Sequence, residues 1–220
     1  SKLLKQSLPM MLSSSMIFII FSIDTLILGY FESTQNVGIY RIVSQISSLN
    51  AIVLIILSSV VGPKISNLFS KDEHIKIQSL VIKSSKLILF STFPIFLFLF
   101  LFYKKILFFF GEEYIIGSSA ILILSICQFF YAISGLSDLV LNMTGNQKVF
   151  GKITFFTAIL NLILNYILIP SYGITGASIA TGISILLTNI ISLFIIHKKY
   201  KFLALYIPFL NNGKQKFHEK

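Results

Sequence analysis

Charge is scarce in this sequence. Asp, Glu, Lys and Arg make up only 12% of its 220 residues, and none occurs over 42–63, 87–103, 114–137 or 153–196. A soluble domain carries about a quarter of its residues charged, and its buried helices are usually shorter than the longer of these gaps, so an ordinary water-soluble fold is excluded. Cysteine is scarcer still: Cys127 stands alone, which rules out a disulfide within the chain and reads as a packing residue of a helix. The three histidines, His74, His197 and His218, are far apart at loop or tail positions. Zinc needs several ligands converging at close spacing, so neither a metal site nor a cofactor is expected. A glycine-rich phosphate loop and a serine elbow are both missing, which leaves no motif for nucleotide-driven or hydrolytic chemistry.

Apolar residues supply 55% of the chain, and the mean hydropathy is +0.86. A bilayer core of roughly 30 Å is crossed by roughly 20 helical residues, and the uncharged runs have that scale. Spans are expected at about 8–30, 39–61, 87–102, 115–141, 153–169 and 173–196, followed by a basic tail over 201–220. The last uncharged run, 153–196, would extend roughly 66 Å as one helix, about twice the membrane. It is therefore two helices, broken at Ile169-Pro170-Ser171-Tyr172-Gly173, where proline lacks an amide proton and glycine accepts turn geometry. The fold class is all-α, a polytopic bundle of six transmembrane helices.

Basic residues set the expected orientation. Fifteen fall on one side: Lys2 and Lys5, five from Lys64 to Lys86, Lys148 and Lys152, and six from Lys198 to Lys220. Only Arg41, Lys104 and Lys105 fall on the other, near Glu32, Glu112 and Glu113. The positive-inside rule then places both termini in the cytoplasm, in a bacterial inner membrane. The net charge of +10 does not indicate a nucleic-acid partner, because no basic face carries interleaved aromatics. Partners of this charge are the lipid bilayer and its anionic headgroups, which His197-Lys198-Lys199-Tyr200-Lys201 either binds or simply meets as an orientation signal.

Polar groups inside apolar spans are the candidate functional residues, since water is not there to satisfy them. Asp24, two-thirds along the first span, faces a cavity, a cation, a neighbouring helix or the hydrated outer interface. Asp138 lies nearer the inner end of the fourth span, where hydration by the cytoplasmic interface is favoured over a pathway role. Arg41, Gln45 and Ser48, with Ser44 beside them, recur at three to four residues and share a helical face suited to lining a water-filled cavity. Thr154, Thr157, Asn161 and Asn165 repeat the pattern in the fifth span, as cavity lining or as interhelical hydrogen bonds. In the sixth span Gly173, Gly176, Ala177, Ala180 and Gly182 place small residues where helix backbones approach closely.

Several short motifs occur in an order that carries a family resemblance. They are Asp24-Thr25-Leu26-Ile27-Leu28-Gly29, Val37-Gly38-Ile39-Tyr40, Gly62-Pro63-Lys64-Ile65-Ser66 and Phe110-Gly111-Glu112-Glu113-Tyr114. The fullest is Asn161-Leu162-Ile163-Leu164-Asn165 leading into the stretch from Ile169 to Thr181. With these the chain resembles the C-terminal half of a polysaccharide or O-antigen flippase of the multidrug/oligosaccharidyl-lipid/polysaccharide exporter superfamily.

The resemblance implies one lobe of a two-lobe, MATE-like transporter working by alternating access, without enzymatic activity. It also implies an undecaprenyl-diphosphate-linked glycan as cargo, with Arg41 attracting the diphosphate and Gln45 and Asn161 meeting hydroxyls. The partner would be a missing N-terminal lobe or a second copy of the chain, which begins at Ser1 and reads as a fragment. Rival readings are a cation-coupled multidrug exporter of the same superfamily, a membrane polysaccharide polymerase or ligase, and a non-transporting assembly partner.

Overall fold

The computed structural model describes residues 2–206. Most of the expected basic tail, 207–220, lies outside the described residues, as do the side chains of Lys2 and Lys5. Seven α-helices follow one another: α1 (Lys2–Phe31), α2 (Thr34–Ser48), α3 (Ile52–Ser70), α4 (His74–Phe110), α5 (Ser118–Ser134), α6 (Leu136–Met143) and α7 (Gln147–Tyr200). Single 3-10 stretches, Leu49–Ala51 and Glu112–Gly117, connect α2 to α3 and lead into α5. No strand occurs among the described residues, and helices keep most backbone hydrogen bonds within one segment, as lipid requires. Four helical runs, Thr34–Ser70, His74–Phe110, Glu112–Ser134 and Gln147–Tyr200, are long and apolar enough to cross a membrane. With α1, and with α7 folded into two arms, they make an all-helical membrane bundle of six rods.

The fold in α7 is a single-residue event. Gly173 adopts φ 52°, ψ −130°, while Pro170 remains helical in the first arm. Glycine takes such a positive φ without a Cβ clash, so one residue reverses the chain. The return is tight: a Cβ on Gly176 would lie 2.3 Å from the Leu168 carbonyl oxygen of the first arm. At Gly182 a Cβ would meet Cys127 Sγ at 2.6 Å, and Ala177 and Ala180 are fully buried.

Helix ends gather by charge. Rings of Phe69 and His74, and of His74 and Tyr200, lie 5.9 Å apart, and Asn146 Nδ2 donates to Tyr200 Oη at 3.0 Å. The end of α3, the start of α4, the α6–α7 loop and the end of α7 therefore share one end of the bundle, which carries Lys71, Lys76, Lys148 and Lys198. At the opposite end Glu32 lies against Gly173, and Phe31 against Tyr166. A buried apolar cluster holds each end, one including Ile65, Val81, Leu136 and Phe150, the other Leu28, Val43, Leu124 and Ile169. Large apolar side chains such as Phe98, Phe156, Ile167 and Phe194 point outward. Such an exterior suits hydrocarbon and not water.

After α7 the chain turns through Lys201, which has a left-handed backbone (φ 58°). It then lies back on the bundle: Phe202 and Ala204 are buried, and the Tyr206 amide donates to Ser85 Oγ on α4 at 3.0 Å.

Candidate functional site

A groove of about 1030 Å³ opens between α1, α2 and the start of α3, floored by α5. Its polar wall is one face of α2, with Arg41, Ser44, Gln45 and Ser48 lined up by the 3.6-residue period. That helix begins cleanly because Ser33 Oγ accepts the Asn36 amide hydrogen at 3.2 Å, which sets the rotation of the stripe. Ser48 is turned back on its own helix, donating to the Gln45 carbonyl at 2.7 Å. Arg41 and Gln45 are exposed, and their side chains make no hydrogen bond or ion pair among the described residues. Phe18, Leu26, Ile52 and Ile55 form an apolar flank, so the groove offers a free cation and amide beside a greasy wall. An anion with an apolar extension matches that pairing.

Asp24 sits behind the groove and does not line it. It is 1% exposed and closes a junction of three helices. Tyr40 of α2 donates its hydroxyl to Asp24 Oδ2, Thr181 of α7 donates to the same oxygen at 2.9 Å, and the Thr25 amide reaches Oδ1 at 2.8 Å. Of the alternatives open to Asp24, the structure supplies neighbouring helices. The neighbour Thr25 does face the groove. Asp24→Ala leaves the buried Tyr40 hydroxyl without its acceptor, while Thr181 retains a helix carbonyl to bond. We expect a loss of about 2 kcal/mol of stability, with Asp24→Asn recovering most of it. Unfolding in detergent, followed by circular dichroism, measures both, and an unchanged midpoint for the alanine variant would refute the assignment.

Asn161 and Asn165 lie fully buried on the first arm of α7 and are not brought to the groove. Asn165 Nδ2 donates to Asn161 Oδ1 at 3.1 Å and to its carbonyl at 3.0 Å. They belong to a polar seam inside the lobe, where Thr188 donates to Thr157 at 3.0 Å and Ser134 to Asn189 Oδ1 at 3.0 Å. Asn161 Nδ2 and Asn165 Oδ1 are buried there without partners, and elsewhere Gln128 Oε1 and Asp138 Oδ1 are also buried without partners. Asp138 is half-buried, with its Oδ1 turned into the bundle. Among the described residues no three of His, Cys, Asp and Glu cluster as metal ligands would.

Four polar lining residues were not among the site candidates read from the sequence: Ser22, Thr25, Gln128 and Tyr131. Gln128 carried a usable signal, being the only amide in an uncharged apolar run. Tyr40 and Thr181 carried none, because each becomes informative only when Asp24 is placed beside it.

Comparison with known proteins agrees with this architecture. The chain is 31% identical over 172 residues to the probable low-salt glycan biosynthesis flippase Agl15 of Haloferax volcanii, covering 76% of this chain and 36% of that one. It is 29% identical over 173 residues to the probable flippase AglR of the same organism, covering 77% and 36%. The chain thus spans about a third of the length of these relatives. Its fold superimposes on an outward-facing multidrug resistance MATE family transporter of the MOP superfamily with a TM-score of 0.72 at 17% identity, covering 97% of this chain and 48% of the transporter. The sequence profile of the MatE family matches residues 9–167, which is most of the chain. A multi-pass helical bundle matched over that length identifies the chain as a member of the MatE family.

Proposed function

We propose that this chain is one lobe of a membrane transporter that moves a lipid-linked oligosaccharide across the cytoplasmic membrane. The observation that carries the reading is the groove, where Arg41 and Gln45 stand unpartnered beside an apolar flank. A diphosphate would pair with the guanidinium through charge-assisted hydrogen bonds, sugar hydroxyls would meet Gln45 and Ser48, and the lipid tail would stay in the bilayer. The name of Agl15, a glycan biosynthesis flippase, supports this cargo class, and that of AglR supports a flippase. A cation-coupled drug exporter is the nearest rival, and the free Arg41 disfavours it because a cationic drug would be repelled.

Alternating access needs two bodies that move against each other. The second body is an N-terminal lobe or a second copy of the chain. The lysine-rich end faces the cytoplasm in this reading, which puts both termini there. Liposomes containing a fluorescent lipid-linked sugar test the proposal. A complete two-lobe protein is expected to flip the lipid, and the 220-residue chain held as a monomer is not. Failure of the two-lobe protein would remove the cargo assignment, and robust flipping by the monomer would remove the half-transporter assignment.

A further inference from the structure

A second groove, of about 530 Å³, lies on the outer surface away from Arg41, lined by Leu89, Phe90 and Phe93 of α4, Phe129 and Ile133 of α5, and Leu205 and Tyr206 of the chain that follows α7. Three features distinguish it from an ordinary lipid-facing surface. Its wall is built: Tyr206 is tied by its amide to Ser85 Oγ, which in turn donates to the Ile133 carbonyl at 3.1 Å, so the returning chain is fastened to both α4 and α5. Its floor is rigid, with Phe129 stacked on Phe96 at 4.6 Å and edge-on to Phe93 at 6.3 Å. Its mouth is cationic: Lys86 Nζ lies 5.5 Å from the Tyr206 ring centroid, and the exposed Lys83 is one turn away on the same face.

The position of the mouth along α4 supplies the occupant. Lys86 is the last charge before the uncharged run 87–103, so it stands where the helix passes from the headgroup layer into hydrocarbon. A molecule filling this groove has a negative group at the level of Lys86 and an apolar chain running inward past Phe90 and Phe93. Lys86 forms no ion pair with an acidic residue among the described residues, so its charge is available. We propose that the groove is a binding site for an anionic phospholipid, its phosphate held at Lys86 and one acyl chain laid along Phe90, Phe93 and Ile133. A lipid bound there would cover the strap from Phe202 to Tyr206 and pin it to the bundle.

The chain contains no tryptophan, so a single introduced one reports on its site alone. Phe90→Trp places the reporter in the groove, at a side chain 60% exposed, and Ile167→Trp places a control on the outer surface of α7, 59% exposed and within the uncharged run 153–196. Each full-length variant is reconstituted in vesicles with brominated phosphatidylglycerol or brominated phosphatidylcholine, and quenching is measured. The groove reporter is expected to favour the anionic lipid by about fivefold in relative binding constant, the size of one lysine's contribution near a membrane surface. Lys86→Gln is expected to bring the ratio close to one, Lys64→Gln to leave it unchanged, and the Ile167→Trp control to show no preference. A preference that survives Lys86→Gln would reflect general attraction to the lysine-rich end and would overturn the site. Equal quenching by the two lipids, or no quenching at the groove alone, would overturn it as well, the latter by showing the groove covered by protein.

Discussion

Arg41→Ala, made within a complete two-lobe protein, is expected to reduce glycan export by about tenfold or more while leaving the amount of membrane-inserted protein unchanged. The size follows from the loss of one charge-assisted contact to a diphosphate, about 1.5–3 kcal/mol. The unchanged abundance follows from the structure: Arg41 is exposed in the groove and its side chain supports no hydrogen bond among the described residues, so its removal leaves no buried group there unpartnered. Arg41→Lys should fall between the two, since an ammonium keeps the charge and loses the planar two-donor fork. Export measured by surface glycan, normalised to protein in the membrane, decides the matter. Wild-type export by the alanine variant would show that the diphosphate does not pass this residue.

Gly176→Ala should act in the opposite way, on the fold and not on the groove. A Cβ there would stand 2.3 Å from the Leu168 oxygen and 2.6 Å from its carbon, both backbone atoms of the facing arm. Side chains can turn aside, but a helix backbone must move as a whole, and the two arms are joined only through Gly173. The expected cost is about 3 kcal/mol, the upper end for an added methyl in a packed core, visible as lost membrane protein and a lower unfolding midpoint in detergent. Gly38→Ala is the matched control, since nothing lies within 4 Å of its Cβ position and helix propensity favours alanine by about 1 kcal/mol. Equal stability of the Gly176→Ala variant and the parent chain would contradict the close approach of the arms.

The two predictions separate residues that look alike in the sequence. Arg41 and Asp24 are both charges inside apolar spans, and each reads as a candidate for a water-filled path. In the bundle Arg41 faces the groove, whereas Asp24 is enclosed by Tyr40 and Thr181 from helices that arrive 16 and 157 residues later. Asn161 and Asn165 share a helical face, as their spacing requires, but that face turns into the lobe. Polarity within a span states that a partner is needed. It does not state whether that partner is cargo, water or another helix.

Properties that depend on composition and short period are legible in the residue order. The membrane class follows from uncharged runs of bilayer length, the polar stripe of α2 from recurrence at three to four residues, and the reversal before the last helix from a run too long to cross the membrane once. These are local consequences of hydrophobic transfer and helix geometry, so no knowledge of neighbours is required. The tertiary structure alone decided which polar face meets the groove and which is buried. It also chose Gly173, among the residues of the Ile169 to Gly173 break, to carry the turn, and folded residues 202–206 back on α4. Each of these depends on how one helix is rotated against others far away in the chain, and that rotation is set by packing of whole surfaces, which no local pattern records.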